Sequence, residues 1–233
     1  MPEQTTTKPT ARRQFLRYVL SGAVTGAAVA GMEVARPRPL LAQTPLTPDA
    51  ALRELMTGNE RFANNQLTSV EHDLRILREH TVEQQEPFAA VLACADSRVP
   101  IELVFDQTIG HIFVTRVAGN IVTPEIVASL EYAVAVLGVK VLLVLGHTGC
   151  GAVKAAMKAD AVPGQISALY QYLQSSVEHA GGDVGQAIAT NAKFQAELLR
   201  TSSTVVREAV KAAQVRVDSG VYDLATGKVT LHG

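Results

Sequence analysis

Three short apolar runs interrupt an otherwise mixed chain, and each is bounded by polar or turn-forming residues. They are FAAVLAC (88–94), HIFVTRV (111–117) and VKVLLVLG (139–146). Runs of this length and composition are typical of strands that are buried in a sheet. We therefore predict three buried strands at these positions, and we expect the third, which is the most hydrophobic, to lie in the centre of the sheet.

Apolar residues at helical spacing fill the segments between and after these runs. Residues 124–138 begin with Pro124 and end with Gly138, the usual punctuation of an amphipathic helix. Another helix is predicted to begin at Pro48, with Thr47 as its cap. Further helices are predicted at 71–84, at 152–159 and over most of 163–214, with a break at AGGDVG (180–185).

Strands that alternate with helices indicate an α/β fold with a mainly parallel central sheet flanked by helices. At the end of the chain, strand-like runs lie on both sides of the turn ATGK (225–228), which predicts a closing hairpin. Residues 43–233 are long enough for one domain with a substantial core, and we expect them to form a single domain.

The first 42 residues follow a different pattern. Polar residues lead to Arg12 and Arg13, an apolar stretch rich in Gly and Ala runs from Val19 to Gly31, and Ala42 is a small residue suited to cleavage. The apolar stretch is too short to cross a bilayer of about 30 Å as a helix, but it suits the core of an export signal. The paired arginines resemble the bacterial twin-arginine signal, which exports folded proteins. The alternative is a basic arm with an amphipathic tail.

We therefore expect an exported, periplasmic protein that loses residues 1–42 and keeps no stable membrane anchor. Six of the 21 basic residues and two of the 22 acidic residues lie in that segment. The remainder has 15 basic and 20 acidic residues and a net charge of −5. Beyond residue 40 no run of Lys and Arg offers a basic groove, so nucleic-acid binding is not expected.

The chain has only two cysteines, and each lies in a polar motif that follows a predicted strand. Cys94 opens CADSR (94–98), and Cys150 lies in HTGCG (147–151). The carboxyl ends of parallel strands share one edge of the sheet, where such folds place their ligand sites. Two thiolates and the imidazole of His147 suit Zn²⁺ and leave its fourth position open.

Two other interpretations of the cysteines stay open: a disulfide, which suits an exported protein, and two buried free thiols. Neither explains why His147 lies near Cys150, or why Asp96 and Arg98 lie near Cys94. Asp96 and Arg98 are two residues apart, so they share one side of an extended segment and can form a two-pronged ion pair. That pair would keep Asp96 ionised, able to accept a hydrogen bond from a zinc-bound water or to approach the metal itself.

Together these residues resemble the β-class carbonic anhydrases, whose pattern is C-x-D-x-R followed by H-x-x-C. Five segments of the chain are similar to family segments, so the resemblance covers most of residues 43–233. They are GNERF (58–62), RVAGN (116–120), SLEYAV (129–134), GHTGCGAV (146–153) and VYDLATGKV (221–229).

The resemblance implies a zinc enzyme that interconverts CO2 and bicarbonate, with one Zn²⁺ per subunit bound by Cys94, His147 and Cys150. A zinc-bound hydroxide would attack CO2, oriented by a hydrogen bond to Asp96, which Arg98 holds in place. Asp96 would bind the metal only in an inactive closed form. The resemblance also implies a homodimer or a dimer of dimers, with N-terminal helices that pack on a partner subunit.

Three further site residues follow from similarity to the plant-like subgroup of the family. Gln85, nine residues before the first zinc cysteine, would hydrogen-bond substrate, and Phe113 and Tyr132 would line the CO2 cleft. An inhibited subgroup has Trp three residues before that cysteine, where this chain has Val91 and contains no Trp at all. We therefore expect no inhibitory bicarbonate site, and we expect Asp96 to stay paired with its arginine at neutral pH.

The histidines at 111, 179 and 232 give no basis for assigning a proton shuttle. Other functions stay open: hydrolysis of CS2 or COS by the same residues, a non-catalytic zinc-stabilised binding protein, and a disulfide-linked structural protein. The pair of Asp96 and Arg98 argues against a purely structural zinc site, because such sites more often have four protein ligands.

Overall fold

A five-stranded sheet lies at the centre of the computed structural model, which describes residues 44–69, 82, 84–159 and 161–232. Its strands are Ala89–Ala93 (β1), Ile112–Arg116 (β2), Val141–His147 (β3), Arg216–Tyr222 (β4) and Val229–Leu231 (β5). The spatial order is β2-β1-β3-β4-β5. All neighbours are parallel except β4 and β5, which form the predicted closing hairpin. The predicted α/β class with a mainly parallel sheet is confirmed.

Helices flank this sheet throughout the described part of the chain. They are Pro48–Ala63 (α1), Ile101–Val104 (α2), Pro124–Ala135 (α3), Gly151–Lys158 (α4), Tyr170–Glu178 (α5), Val184–Ser202 (α6) and Thr204–Lys211 (α7), with a 3-10 turn at Ile166–Leu169. None of these helices combines the length and the apolar character that a membrane crossing requires.

Most predicted elements are present, but several ends differ from the sequence pattern. β3 extends to His147, so this residue ends a strand instead of opening the following loop. α3 ends at Ala135, before the predicted Gly138, which adopts a left-handed φ of 71° in the turn beyond the helix. The short helix α2 was not predicted. A second break divides 163–214 at Ser203, whose hydroxyl caps α7. The predicted helix at 71–84 lies outside the described residues, apart from 82 and 84.

The two central strands are buried along their whole length because helices cover both faces of the sheet. One face carries alternate residues of β1 and β3, such as Val91 and Leu143, in a cluster that includes the buried side of α1. The other carries Leu92 and Val144 in a cluster with residues of α3, α6 and α7. This explains why both strands read as continuous apolar runs with no polar alternation.

A buried carboxylate ties α1 to the turn after α2. The side chain of Asp106 is fully buried, and its Oδ2 accepts a hydrogen bond of 2.6 Å from Nε of Arg61. The backbone N–H groups of Thr68 and Ser69 and the hydroxyl of Thr68 donate to the same carboxylate. Burial alone would raise the pKa of Asp106, but these hydrogen bonds outweigh burial and hold the pKa well below its usual range.

We expect Asp106→Asn to lower the free energy of unfolding at pH 7 by about 2 kcal/mol, because hydrogen bonds to a charged group are lost. Folding lowers the pKa of this carboxyl, so its contribution is complete above the unfolded value of about 4 and is lost as the pH falls below it. Urea unfolding of both proteins should show a difference in stability that narrows below about pH 4. A difference of equal size at every pH would show that ionisation of Asp106 does not matter.

Candidate active site

The two polar motifs meet because the strands before them are neighbours in the sheet. Ala93, the last residue of β1, is paired with Leu145 of β3, and both strands run in the same direction. Cys94 follows Ala93 directly, and His147 lies two residues beyond Leu145. The motifs therefore emerge side by side at the carboxyl edge of the sheet, where the sequence predicts them.

Cys94, His147 and Cys150 form a buried cluster at this edge. Their ligand atoms all lie within 4.8 Å of one another, and the three side chains are 5%, 0% and 1% exposed, in that order. The two sulfur atoms are 4.0 Å apart and belong to free thiols. The structure therefore presents no disulfide at this place, and it brings together the three residues predicted to bind a metal.

The ring of His147 presents one nitrogen to the two sulfurs. Nδ1 lies 3.0 Å from the carbonyl oxygen of Thr148, and because a carbonyl only accepts, Nδ1 carries the hydrogen. In a neutral imidazole, Nε2 then holds the lone pair. This atom is buried, and it has no hydrogen-bond partner among the residues that the structure describes. A neutral imidazole with this tautomer, fixed by a backbone carbonyl, is the usual form of a metal-binding histidine.

The two thiols share a hydrogen bond, which moves their pKa values in opposite directions. The bond from Cys150 lowers the pKa of Cys94, with help from the N–H of Gly119, and it outweighs the opposing effect of burial. The same bond to Cys94, together with burial, raises the pKa of Cys150. The backbone N–H groups at the start of α4 act against this rise. Of the two thiols, Cys94 is therefore the more readily ionised.

Asp96 and Arg98 form the predicted two-pronged pair next to this cluster. Nε and Nη2 of Arg98 donate to Oδ1 and Oδ2 of Asp96 over 2.9 and 2.7 Å, and the backbone N–H of Arg98 also donates to Oδ1. The Arg98 guanidinium holds the pKa of Asp96 well below its usual range. Oδ2 of Asp96 lies 3.8 Å from Nε2 of His147, so an ionised carboxylate borders the metal-ligand cluster.

Arg116, for which the sequence suggested no role, fixes the backbone of the CADSR loop. From the end of β2, its Nε donates to the carbonyl oxygen of Cys94 over 3.0 Å, and its Nη2 donates to that of Asp96. These two carbonyls belong to the residues that carry the thiol and the carboxylate. The only signal in the sequence was the place of Arg116 in the family-like segment RVAGN.

The three predicted substrate-binding residues are not gathered at the cluster by this single chain. Gln85 is exposed in the irregular stretch before β1. Phe113 is paired with Ala90 of β1. Ala90 lies three residues before the end of that strand, so Phe113 is about 10 Å from the edge where the motifs begin. Its ring packs against that of Tyr132, with the centroids 6.3 Å apart, and Tyr132 is 45% exposed. Roles for these residues in binding substrate stay predictions.

The histidines at 111, 179 and 232 make contacts of their own outside this cluster. His111 is near the hydroxyl of Thr108, and Nδ1 of His179 donates to the carbonyl oxygen of Ser175. The backbone N–H of His232 donates to the carbonyl oxygen of Ser219. These contacts place none of the three beside Asp96, and no proton shuttle is assigned.

Comparison with known proteins places this fold and site in one family. A family model described as carbonic anhydrase matches residues 89–229. The chain is 33% identical over 192 residues to a carbonic anhydrase of Mycolicibacterium smegmatis, a match that covers 79% of this chain and 93% of the relative.

Solved structures agree with this match. The β-carbonic anhydrase CcaA has a TM-score of 0.63 and 25% identity, with 78% of this chain and 87% of that chain covered. A structure from a study of two tetrameric β-carbonic anhydrases of Sordaria macrospora has a TM-score of 0.63 and 24% identity. The match covers 78% of this chain and 96% of that chain, and it shows that the two share the fold. The chain therefore belongs to the β-carbonic anhydrase family.

Proposed function

We propose that this carbonic anhydrase hydrates CO2 reversibly to bicarbonate and a proton with one Zn²⁺ held by Cys94, His147 and Cys150. The observation that carries the proposal is the buried Nε2 of His147, which has no hydrogen-bond partner among the described residues and belongs to a cluster whose ligand atoms lie within 4.8 Å of one another. Burying such an atom without a partner is unfavourable, and a metal ion at this place would satisfy it.

The donor atoms fit zinc better than they fit magnesium or calcium. Thiolate and imidazole suit Zn²⁺, whereas Mg²⁺ and Ca²⁺ prefer oxygen ligands. Three protein ligands leave one position open, as in catalytic zinc sites, and zinc in such a site lowers the pKa of a bound water toward about 7. The open position distinguishes this arrangement from a structural zinc site in a binding protein.

Asp96 would orient the nucleophile. Because Arg98 keeps it ionised, its carboxylate can only accept hydrogen bonds. Oδ2 lies 3.8 Å from Nε2 of His147, and this short distance supports a role in which it would accept the hydrogen of a hydroxide at the cluster. That bond would turn a lone pair of the hydroxide oxygen toward the carbon of CO2 and so reduce the entropy lost in reaching the reactive geometry.

Arg98 would also keep Asp96 out of the set of metal ligands. Its side chain donates to both carboxylate oxygens and fixes the carboxylate in place, so a move of Asp96 toward a metal would have to break these hydrogen bonds. Val91, at the position where the inhibited subgroup has Trp, is fully buried in the core. We therefore propose that this protein has no inhibitory bicarbonate site and that Asp96 stays paired with Arg98 at neutral pH.

Stopped-flow measurement of CO2 hydration by the zinc-loaded protein tests the substrate. The proposal predicts kcat/KM for CO2 in the range of efficient enzymes, on the order of 10⁶ M⁻¹s⁻¹ or more. Assays of COS and CS2 hydrolysis on the same sample should give far lower values. Rapid hydrolysis of either compound with negligible CO2 hydration would assign the site to that substrate and overturn the proposal.

We also propose export and oligomerisation, which rest on the sequence and on the family. Replacement of both Arg12 and Arg13 by lysine should keep the full-length protein in the cytoplasm of its host, and normal export of that variant would refute the twin-arginine assignment.

Analytical ultracentrifugation of residues 43–233 should give a dimer or a tetramer. A monomer at micromolar concentration would contradict the proposed assembly and the packing of N-terminal helices on a partner.

A further inference from the structure

Two buried amide side chains on α6 reach the loop that lies over Cys94. Asn191 and Gln195 are four residues apart, so they lie on the same face of the helix. They are 0% and 3% exposed. α6 passes very close to the end of β3, where Gly146 has no Cβ that would press against Ile188 of α6. This close approach brings both amides to the carboxyl edge of the sheet.

Loop 117–122, which lies over Cys94, connects β2 to the start of α3. Its Gly119 donates a backbone hydrogen bond of 3.3 Å to Sγ of Cys94. Gly119 and Asn120 both have left-handed φ angles, 81° and 43°, so the loop takes a tight turn that is unfavourable for most residues. Glycine and asparagine adopt these angles at little cost, so the loop depends on support from its surroundings to keep one position.

The two amides supply that support through direct hydrogen bonds to the loop backbone. Nδ2 of Asn191 donates to the carbonyl oxygen of Gly119 over 2.9 Å, so the residue that contacts the sulfur is itself held. The N–H of Val122 donates to Oε1 of Gln195 over 2.8 Å. The loop is thus fixed at two points by one helix face.

Other hydrogen bonds fix the orientation of the amides. Oδ1 of Asn191 accepts from Nε2 of Gln195 over 3.1 Å and from the hydroxyl of Ser176 over 3.3 Å. Nε2 of Gln195 also donates to the carbonyl oxygen of Tyr172. If the Asn191 amide were reversed, its NH2 group would face the NH2 group of Gln195, and two donors would meet. Its oxygen would face the carbonyl oxygen of Gly119, and two acceptors would meet. The network is therefore satisfied in one orientation only.

We propose that Asn191 is a positioning residue of the zinc site: with Gln195, it holds loop 117–122 so that Gly119 donates to the Cys94 thiolate. This inference rests on the proposed zinc site. An N–H···S bond stabilises the thiolate and fixes its direction, and loss of such outer contacts typically weakens metal binding by about 10- to 100-fold. Asn191 and Gln195 need no contact with zinc or substrate for this role.

The test compares Asn191→Leu with a matched control, Ser219→Ala. Leucine has the same number and branching of side-chain heavy atoms as asparagine but cannot donate to Gly119, whereas Ser219→Ala removes a buried hydrogen bond to the carbonyl oxygen of His232, outside this network. Two quantities are measured: the zinc dissociation constant, by competition with a chromophoric chelator, and amide hydrogen exchange of 117–122 in the zinc-loaded protein. We expect Asn191→Leu to raise the dissociation constant by about 10-fold or more and to speed exchange in the loop, while Ser219→Ala changes neither.

An Asn191→Leu protein that folds and binds zinc as tightly as the wild type would overturn the inference, even if it is less stable. If that variant does not fold, Asn191→Ala replaces it, since the smaller side chain also removes the donor to Gly119 and crowds none of its neighbours; an unchanged dissociation constant would overturn the inference in the same way. If the wild type itself binds no zinc, the proposed function fails first, so the two failures are distinguishable.

Discussion

Replacement of His147 by alanine should leave the protein without bound zinc and lower CO2 hydration by about a thousandfold or more, because hydroxide is scarce near neutral pH without a metal. His147 supplies the nitrogen ligand, and its Nε2 has no hydrogen-bond partner among the described residues. Its removal leaves two sulfurs only 4.0 Å apart. Two protein ligands fall short of the three that catalytic zinc sites use. Metal analysis and stopped-flow hydration of the purified variant measure both effects.

The control for this change is His111→Ala. His111 is exposed and lies near Thr108, before β2, so its removal should change neither zinc content nor hydration. Cys150→Ser should behave like His147→Ala, because a serine hydroxyl is a poor substitute for a thiolate as a zinc ligand. Near-normal hydration by His147→Ala would show that this cluster is not the catalytic centre.

Asp96→Asn should keep its zinc and lose activity by about 10- to 100-fold, the typical effect of removing a group that orients a metal site. The carboxylate can only accept hydrogen bonds, whereas an amide would direct either its oxygen or its NH2 group at the hydroxide. The change in charge also removes the ion pair that fixes the side chain against Arg98. The loss should appear in kcat, measured by stopped flow at saturating CO2, because the group acts on the nucleophile and not on substrate binding.

Asp223→Asn serves as the comparison for Asp96→Asn. Asp223 follows β4 at the same edge of the sheet, and the hydrogen bonds that its carboxylate accepts within the described part of the chain come from its own turn. This variant should hydrate CO2 at the wild-type rate. Full activity of Asp96→Asn, with wild-type zinc content, would remove the orienting role assigned to Asp96.

The sheet and the metal-ligand cluster could be predicted because their signals are local. The runs that became β1 and β3 are apolar throughout, since both strands are covered on two faces. Cysteine is scarce in this chain, and each one occurs beside residues with their own chemistry. The order of strand and motif then placed Cys94 and His147 at one edge without knowledge of the tertiary structure.

The support around the site could not be predicted, because it depends on contacts between distant parts of the chain. Asn191 lies 72 positions after Gly119, and in the sequence it is one polar residue in a long helical stretch. Arg116 resembles any arginine at a strand end until its two carbonyl contacts are seen. The distance of Phe113 from the site edge likewise follows from strand register, which the sequence does not state.

A zinc titration of the metal-free wild-type protein, with CO2 hydration measured on every sample, tests the central claim most directly. If Cys94, His147 and Cys150 hold the catalytic zinc, hydration should rise in proportion to bound zinc and reach a plateau at one zinc per chain. Hydration that is independent of zinc, or one zinc bound per chain without hydration, would contradict the claim.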